Sequence, residues 1–283
     1  MTSHVGRLDL HLHTTYSDGS LPPAEVLILA HKAHVTALAI TDHDTVDGIP
    51  EALEAGERLG IEIIPGIEIS SRLEANEVHI LGYFVDWKDR ELLAQLSRLR
   101  EARHVRNPRI IERLNALHIE ITYDEVKQLA KTDSIGRPHI ARVLMNKGYV
   151  KSAKEAFDRY LADRAAAYVP RDLPSPAEAI AMVKAAHGVA VLAHPSWLDR
   201  SEGIGPVCEQ LKSEGLDGVE VHYSTHRPEQ TVQYLETARR LGLLVTGGSD
   251  FHGVTKPDIE VGIGRGTLQV PTTLLEPLRN AAG

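Results

Sequence analysis

The chain has 283 residues, 42% of them hydrophobic and 25% charged, and a formal net charge of −8 with histidine neutral. That length suits one large α/β domain or one domain with a sizeable insertion, and no apolar run approaches the ~18 residues of a membrane span. The negative balance makes a long nucleic-acid duplex or a membrane surface a poor default partner, and a lone cysteine, Cys208, excludes an internal disulfide and fits a cytoplasmic protein.

The opening MTSHVGRLDLH shows no basic segment followed by an apolar one, so no secretory leader is expected. RLDLHLH (7–13) reads as the first strand. Side chains alternate on a strand, so Asp9, His11 and His13 should share one face and Leu8, Leu10 and Leu12 the other. Asp18 follows in a glycine turn. Such a polar face either surrounds a metal or borders water at a sheet edge; buried and unpartnered, each polar group would cost roughly 1–3 kcal/mol. A helix over PAEVLILAHKAH (23–34) leads to the strand ALAITD (37–42), whose end, TDHD, carries His43. PEALEAGERLG (50–60) is helical, IEIIPGIEIS (61–70) is a strand carrying Glu68, and EVHILGYFV (77–85) is a strand carrying His79.

From about 89 to 170 the pattern becomes helix after helix: ELLAQLSRLREARHVRNPRIIERLNAL, TYDEVKQLAK, GRPHIARVLMNKG and SAKEAFDRYLAD. Strand–helix alternation then resumes with SPAEAIAMVKAAHG (175–188), VAVLAHP (189–195) ending in His194, GVEVHY (218–223), RPEQTVQYLETARRLG (227–242) and LLVTGGSD (243–250), which runs into Asp250 and His252. Between them IGPVCEQLKSEG reads as a helix that buries Cys208 as a structural thiol. The alternation predicts βα units and a parallel, barrel-like sheet. Residues 1–88 and 171–283 are its two parts, and 89–170 is a helical insertion at its mouth, shaping the substrate pocket.

Nine metal-binding side chains fall at or near strand ends: His11, His13, Asp18, His43, Glu68, His79, His194, Asp250 and His252. In a parallel barrel these ends meet at one face. One zinc ion takes three or four protein ligands, so nine predict a site for two to three divalent ions with a carboxylate shared between them. Histidine and carboxylate without thiolate suit Zn, Mn or Fe alike.

Together DLHLHTTYSDG, TDHD, GIE, HILGY, AHP and GSDFH resemble the PHP (polymerase and histidinol phosphatase) family, over roughly 7–85 and 186–265. The helical middle resembles the insertion of a subgroup that includes a 3′,5′-bisnucleotide phosphatase and an exoribonuclease, RNase AM. The resemblance implies a distorted (β/α)7 TIM-like barrel with three divalent ions. His11, His13, Glu68 and Asp250 would hold one. Glu68 would bridge to a second, completed by His79 and His194. Asp18, His43 and His252 would hold the third; some family members have histidine where Asp18 stands, which bears on that site's metal preference. Asp9, Asp42 and Asp44 read as partners orienting the imidazoles, with turn or capping roles as the alternative.

Clustered divalent ions acidify water, offset charge on phosphoryl oxygens and stabilise a leaving alkoxide, so phosphate ester hydrolysis needs no nucleophilic side chain. Glu68, His194, Asp250 and His252 are the expected catalytic residues, with the general acid left open. Three such ions would outweigh the ligand carboxylates, making the site positive within an acidic protein. Substrate choice should reside in the insertion. GRPHIARVL places Arg137, His139 and Arg142 near a helix start, suited to a phosphate, or simply facing solvent. Arg103 and Asn107, four apart, share a helix face that either meets phosphate or is solvated. Arg171, and His226 in YSTHRPE, are weaker candidates, and Tyr168 is a packing residue or a base-stacking one. His4, His31, His34, His104, His118 and His187 read as ordinary.

The expected activity is hydrolysis of phosphate esters of nucleotides, most simply a nucleoside 3′,5′-bisphosphate, or stepwise 5′-to-3′ trimming of short single-stranded RNA. The partners are then that small nucleotide or short RNA, with no membrane and no obligate protein partner. Histidinol-phosphate phosphatase is an alternative that the helical insertion disfavours. An amidohydrolase-type C–N hydrolase is another, disfavoured because no lysine is read at a strand end.

Overall fold

A computed structural model describes residues 6–74, 76–130, 132–198 and 203–283; His4 lies outside them. Seven strands follow one another in chain order around one sheet: β1 (Arg7–Leu12), β2 (Val35–Ile40), β3 (Glu62–Leu73), β4 (Asn76–Tyr83), β5 (Val189–Leu192), β6 (Gly218–Tyr223) and β7 (Leu244–Gly248). The ends of β7 and β1 meet through Asp250 N to His11 O (2.8 Å) and His13 N to Phe251 O (3.0 Å), so the sheet curls into a barrel. Gly248 permits that meeting: a Cβ there would lie 2.4 Å from the His11 backbone nitrogen. Gly248→Ala should therefore lower unfolding stability by about 1–3 kcal/mol, read by denaturant titration; wild-type stability would show that the closure yields easily.

The alternation predicted a parallel sheet, and the sheet is instead mixed. β4 pairs antiparallel with both β3 and β5, while the other neighbours are parallel. The β3–β4 pair is a hairpin from Leu73 to Asn76, too short a connection for the crossover that a parallel pairing needs. Because β4 runs in reverse, His79, near its start, arrives at the same mouth as residues at the ends of the parallel strands.

The expected alternation along β1 also fails. Asp9 pairs with Leu38 but Leu12 with Ile40, so three steps on β1 match two on β2. This bulge flips the facing of the strand beyond it. Leu8 and Leu10 pack with Ala37, Ala39, Ile64, Leu81 and Val191, whereas Leu12 packs with Val26, Leu27 and Leu38. Asp9 therefore does not share a face with His11 and His13. A second shift on β6, between Glu220 and His222, similarly places both Glu220 and Tyr223 toward the site.

Helices α1 (Pro23–Lys32), α2 (Ile49–Leu59), α7 (Pro176–Ala185), α8 (Gly205–Ser213) and α9 (Pro228–Leu241) surround the barrel, and α10 (Leu275–Ala281) packs Leu278 against its lower core. Cys208 on α8 is buried, and burial pushes its thiol up to about 12. Between β4 and α7 come α3 (Arg90–Ala116), α4 (Tyr123–Ala130), α5 (Arg137–Asn146) and α6 (Ala153–Ala156), the last continued by a π-turn at Phe157–Leu161. This segment has its own apolar cluster, including Ile110, Leu114, Ile140, Leu144 and Leu161. Polar ties fasten it to the mouth: Ser134 Oγ donates to His43 O (2.7 Å), Thr132 Oγ1 to Tyr16 O (2.7 Å) and Arg100 to Asp44 O (3.0 Å). No helix among the described residues is long and apolar enough to cross a membrane.

Candidate metal centre

All nine residues singled out at strand ends converge on the barrel mouth. Glu68 is their hub. Its Oε2 lies 3.2 Å from His11 Nε2, 3.1 Å from His13 Nε2 and 3.2 Å from His43 Nδ1. Its Oε1 lies 2.8 Å from His79 Nδ1 and 2.9 Å from His194 Nε2, and those two nitrogens are 3.3 Å apart. Asp250 Oδ1 stands 3.6 Å from His11 Nε2 and 3.3 Å from His13 Nε2. Asp18 reaches His252 Nε2 at 3.3 Å, His13 Nδ1 at 3.6 Å and His43 Nε2 at 3.7 Å.

These spacings suit cations. Donors about 2.1 Å from a tetrahedral ion stand roughly 3.4 Å from one another. The chemistry agrees, since His13 Nδ1, His43 Nδ1 and His79 Nε2 are buried ring nitrogens that make no well-directed hydrogen bond among the described residues, a costly state that coordination would relieve. Three groups could each hold an ion: His13, Asp18, His43 and His252; His11, His13 and Asp250; and His43, Glu68 and His79. His43 stands between Asp18 and Glu68, so it can serve either neighbour. The site is short of positive charge. Burial opposes the imidazolium at His13 and His79, yet the carboxylates against them (Asp250 and Glu68; Glu68 and Glu77) push both up to about 9. Burial likewise opposes ionisation of Glu68 and Asp18, but the surrounding imidazoles hold both well below the usual range. A divalent ion held there would supply positive charge to these carboxylates.

The backbone is held in place as well. His194 (φ 25°) and Asp250 (φ 56°) are left-handed without being glycine, a strain that persists only where the surroundings enforce it. At His194 the enforcing bond runs from its N–H to Glu220 Oε2 (2.7 Å); at Asp250 it runs from its N–H to the His11 carbonyl.

Asp9, Asp42 and Asp44 are buried but do not orient imidazoles, which corrects the first expectation for them. Asp9 accepts from the amides of Ser249 (2.8 Å) and Gly262 (2.7 Å). Asp42 accepts from Thr14 N (2.8 Å) and Ser17 Oγ (2.5 Å), fixing the loop that carries Asp18. Asp44 accepts from Ser70 N (2.8 Å) and from Arg103. The carboxylate that does orient an imidazole is Glu220 on β6, 2.9 Å from His11 Nδ1. Sequence reasoning missed it because GVEVHY looked like an ordinary strand; a glutamate between two valines on a buried strand was the available signal. Tyr223 Oη and Lys256 Nζ both donate to Asp250 Oδ2 (2.6 and 2.5 Å). Lys256 was also missed: it lies beyond the end of β7 and folds back, so a lysine does reach the site.

A cavity of about 760 Å³ opens over this centre, within the roughly 300–1,000 Å³ usual for small-molecule sites. The barrel side of its lining includes Glu68, His79, His194 and Asp250, and the helical segment contributes Arg103, Arg106, Arg137, Lys154 and Phe157. Trp197, 57% exposed, also lines it and stacks on His194 with centroids 3.9 Å apart. Arg103 is not solvated: it is buried and gives Nε (3.0 Å) and Nη2 (2.6 Å) to Asp44. Arg137 gives Nη2 to Glu77 (2.5 Å) and Nη1 to Asp163 (3.3 Å). Arg171 is buried between Asp44 (3.3 Å) and Glu77 (3.4 Å).

Asn107, His139, Arg142 and His226 are not among the described residues lining the cavity. Asn107 donates to Ile135 O (2.8 Å), and His139 Nδ1 accepts from Gly136 N (3.0 Å) at the start of α5. Arg142 is half-buried. His226 packs against Tyr223 and Tyr234, its Nδ1 2.8 Å from Val221 O. Tyr168 accepts from Arg72 (2.9 Å), a packing arrangement. His34, His118 and His187 occupy left-handed turns after helices.

Comparison with known proteins agrees with this arrangement. The PHP domain family model matches residues 9–167. A Salmonella typhimurium protein named 5′-3′ exoribonuclease Rnm is 35% identical over 92% of this chain and 90% of its own length. A 3′,5′-nucleoside bisphosphate phosphatase of Chromobacterium violaceum is 33% identical over 91% of both chains. A crystal structure from Bifidobacterium adolescentis, described as a metal-dependent phosphoesterase, superposes with a TM-score of 0.88 at 34% identity, covering 98% of this chain and 96% of that one. With the matching distorted barrel and its histidine–carboxylate mouth, the chain belongs to the PHP domain family.

Proposed function

We propose that this protein is a metal-dependent hydrolase of phosphate esters whose substrates are nucleotides: nucleoside 3′,5′-bisphosphates, and short single-stranded RNA taken from its 5′ end. The observation that carries the reading is one cavity whose lining joins seven of the nine candidate metal ligands, Asp18, His43, Glu68, His79, His194, Asp250 and His252, to an arginine-bearing wall. The names of the two relatives point to the same substrate class.

His11, His13, Glu68 and Asp250 would hold one ion, and Glu68, His79 and His194 a second. Asp18, His43 and His252 complete a third site. Mn, Fe and Zn all suit these donors. Divalent ions bound there would supply acidified water and offset phosphoryl charge. The chain's own residues do the rest. Glu220 fixes the His11 ring, while Tyr223 and Lys256 fix Asp250. The segment 89–170, tied over the mouth by Arg100, Thr132 and Ser134, acts as a roof that restricts water and sets substrate length. Trp197 and Phe157 offer flat apolar faces to a nucleobase.

The test is phosphate release by purified protein with Mn²⁺ from adenosine 3′,5′-bisphosphate, AMP, histidinol phosphate and a 5′-phosphorylated RNA oligomer, with RNA products resolved on a gel. Fast release from the bisphosphate or a ladder of mononucleotides is expected. Preference for histidinol phosphate, or no phosphate ester turned over, would overturn the reading.

A further inference from the structure

Four arginines crowd the wall between the metal centre and the helical segment: Arg103, Arg106, Arg137 and Arg171. Three of them face carboxylates. Asp44 takes Arg103 and Arg171, and Glu77 takes Arg171 and Arg137. Arg106 has no such partner among the described residues. It is 3% exposed, and its Nε and Nη2 reach only the amide oxygen of Asn107, at 3.3 and 3.1 Å. Asn107 is in turn held by its Nδ2 on the Ile135 carbonyl, which fixes its oxygen toward the guanidinium. Arg106 lines the same cavity as Glu68, His194 and Asp250.

A buried, uncompensated guanidinium is costly unless an anion meets it. Burial, aggravated by Arg171, Arg137 and Arg103 nearby and only partly offset by the more distant Glu77, makes the charge of Arg106 harder to hold than usual, and a dianion entering the cavity reverses that. We infer that Arg106, oriented by Asn107, is the subsite for a second phosphate of the substrate, distinct from the phosphate hydrolysed at the metal centre. Arg137, the more obvious candidate from its place at a helix start, is already neutralised by Glu77 and Asp163. Arg106 thus selects nucleotides carrying two phosphoryl groups over those carrying one. The inference rests on the phosphoesterase reading above.

The test compares Arg106→Met and Arg106→Lys with wild type, all loaded with Mn²⁺, on adenosine 3′,5′-bisphosphate and p-nitrophenyl phosphate. Methionine keeps the buried stem and removes like-charge repulsion, so folding should survive, checked by thermal melting. Loss of a charged hydrogen-bonded contact predicts a rise in KM for the bisphosphate of about 10- to 100-fold. The aryl phosphate, with no second anion, should change by less than about threefold. Lysine, retaining charge without the fork, should fall between. Equal effects on both substrates, or none on the bisphosphate, would overturn the subsite. If Arg106→Met does not fold, Arg106→Lys decides: a change confined to the bisphosphate supports the inference, and a uniform one refutes it. Wild-type protein inactive on both substrates would instead refute the phosphoesterase reading.

Discussion

Glu68→Gln should reduce turnover at least ~1,000-fold, equivalent to about 4 kcal/mol of transition-state stabilisation, with metal content falling in parallel. The substitution keeps shape and removes charge. In the wild-type protein the two oxygens of Glu68 serve different sets of nitrogens, Oε2 those of His11 and His13 and Oε1 those of His79 and His194. An amide offers one good donor atom to a cation where the carboxylate offers two, so two sites weaken together. Elemental analysis beside steady-state kinetics checks this. Wild-type rates at wild-type metal content would sink the shared-ligand role. Circular dichroism should be unchanged, because the backbone pairing of β3 with β4 around Leu81 does not involve the side chain.

Glu220→Gln is expected to weaken metal retention by about 10- to 100-fold, the usual effect of losing a charged partner behind a ligand histidine. Glu220 touches two candidate ligands at once, His11 through its ring and His194 through its backbone amide. Glutamine can still accept one of those bonds, so the barrel should fold while His11 becomes a poorer donor. The measurement is metal release against a chelator of known affinity. Retention within about twofold of wild type would reduce Glu220 to a packing residue. Set beside Glu68→Gln, the two variants separate binding an ion from orienting the group that binds it.

Much of the centre was legible in the chain because its signal is local. Histidine and carboxylate recur where short β-branched runs stop, and in a barrel those stops face one mouth whatever lies between them. The helices around the barrel, the buried thiol and the helical character of 89–170 follow from periodicity for the same reason. What escaped depended on neighbours distant in sequence. The bulge on β1 is a property of its pairing with β2, so Asp9 was placed on the wrong face. The reversal of β4 depends on the hairpin with β3. Glu220 and Lys256 acquire meaning only from His11 and Asp250, more than 200 residues away in the first case.

The arginines show the limit most clearly. Spacing could put Arg103 and Asn107 on one helix face and Arg137 at a helix start, but it could not say which guanidinium would find a carboxylate. Asp44 and Glu77 come from the barrel and claim three of the four, leaving Arg106 for the cavity. Residue type and strand periodicity by themselves pointed to candidate metal ligands gathered at a barrel mouth. Only the packing of the helical segment onto that mouth decided which charges remain available, because charge compensation is settled by through-space distance rather than by order along the chain.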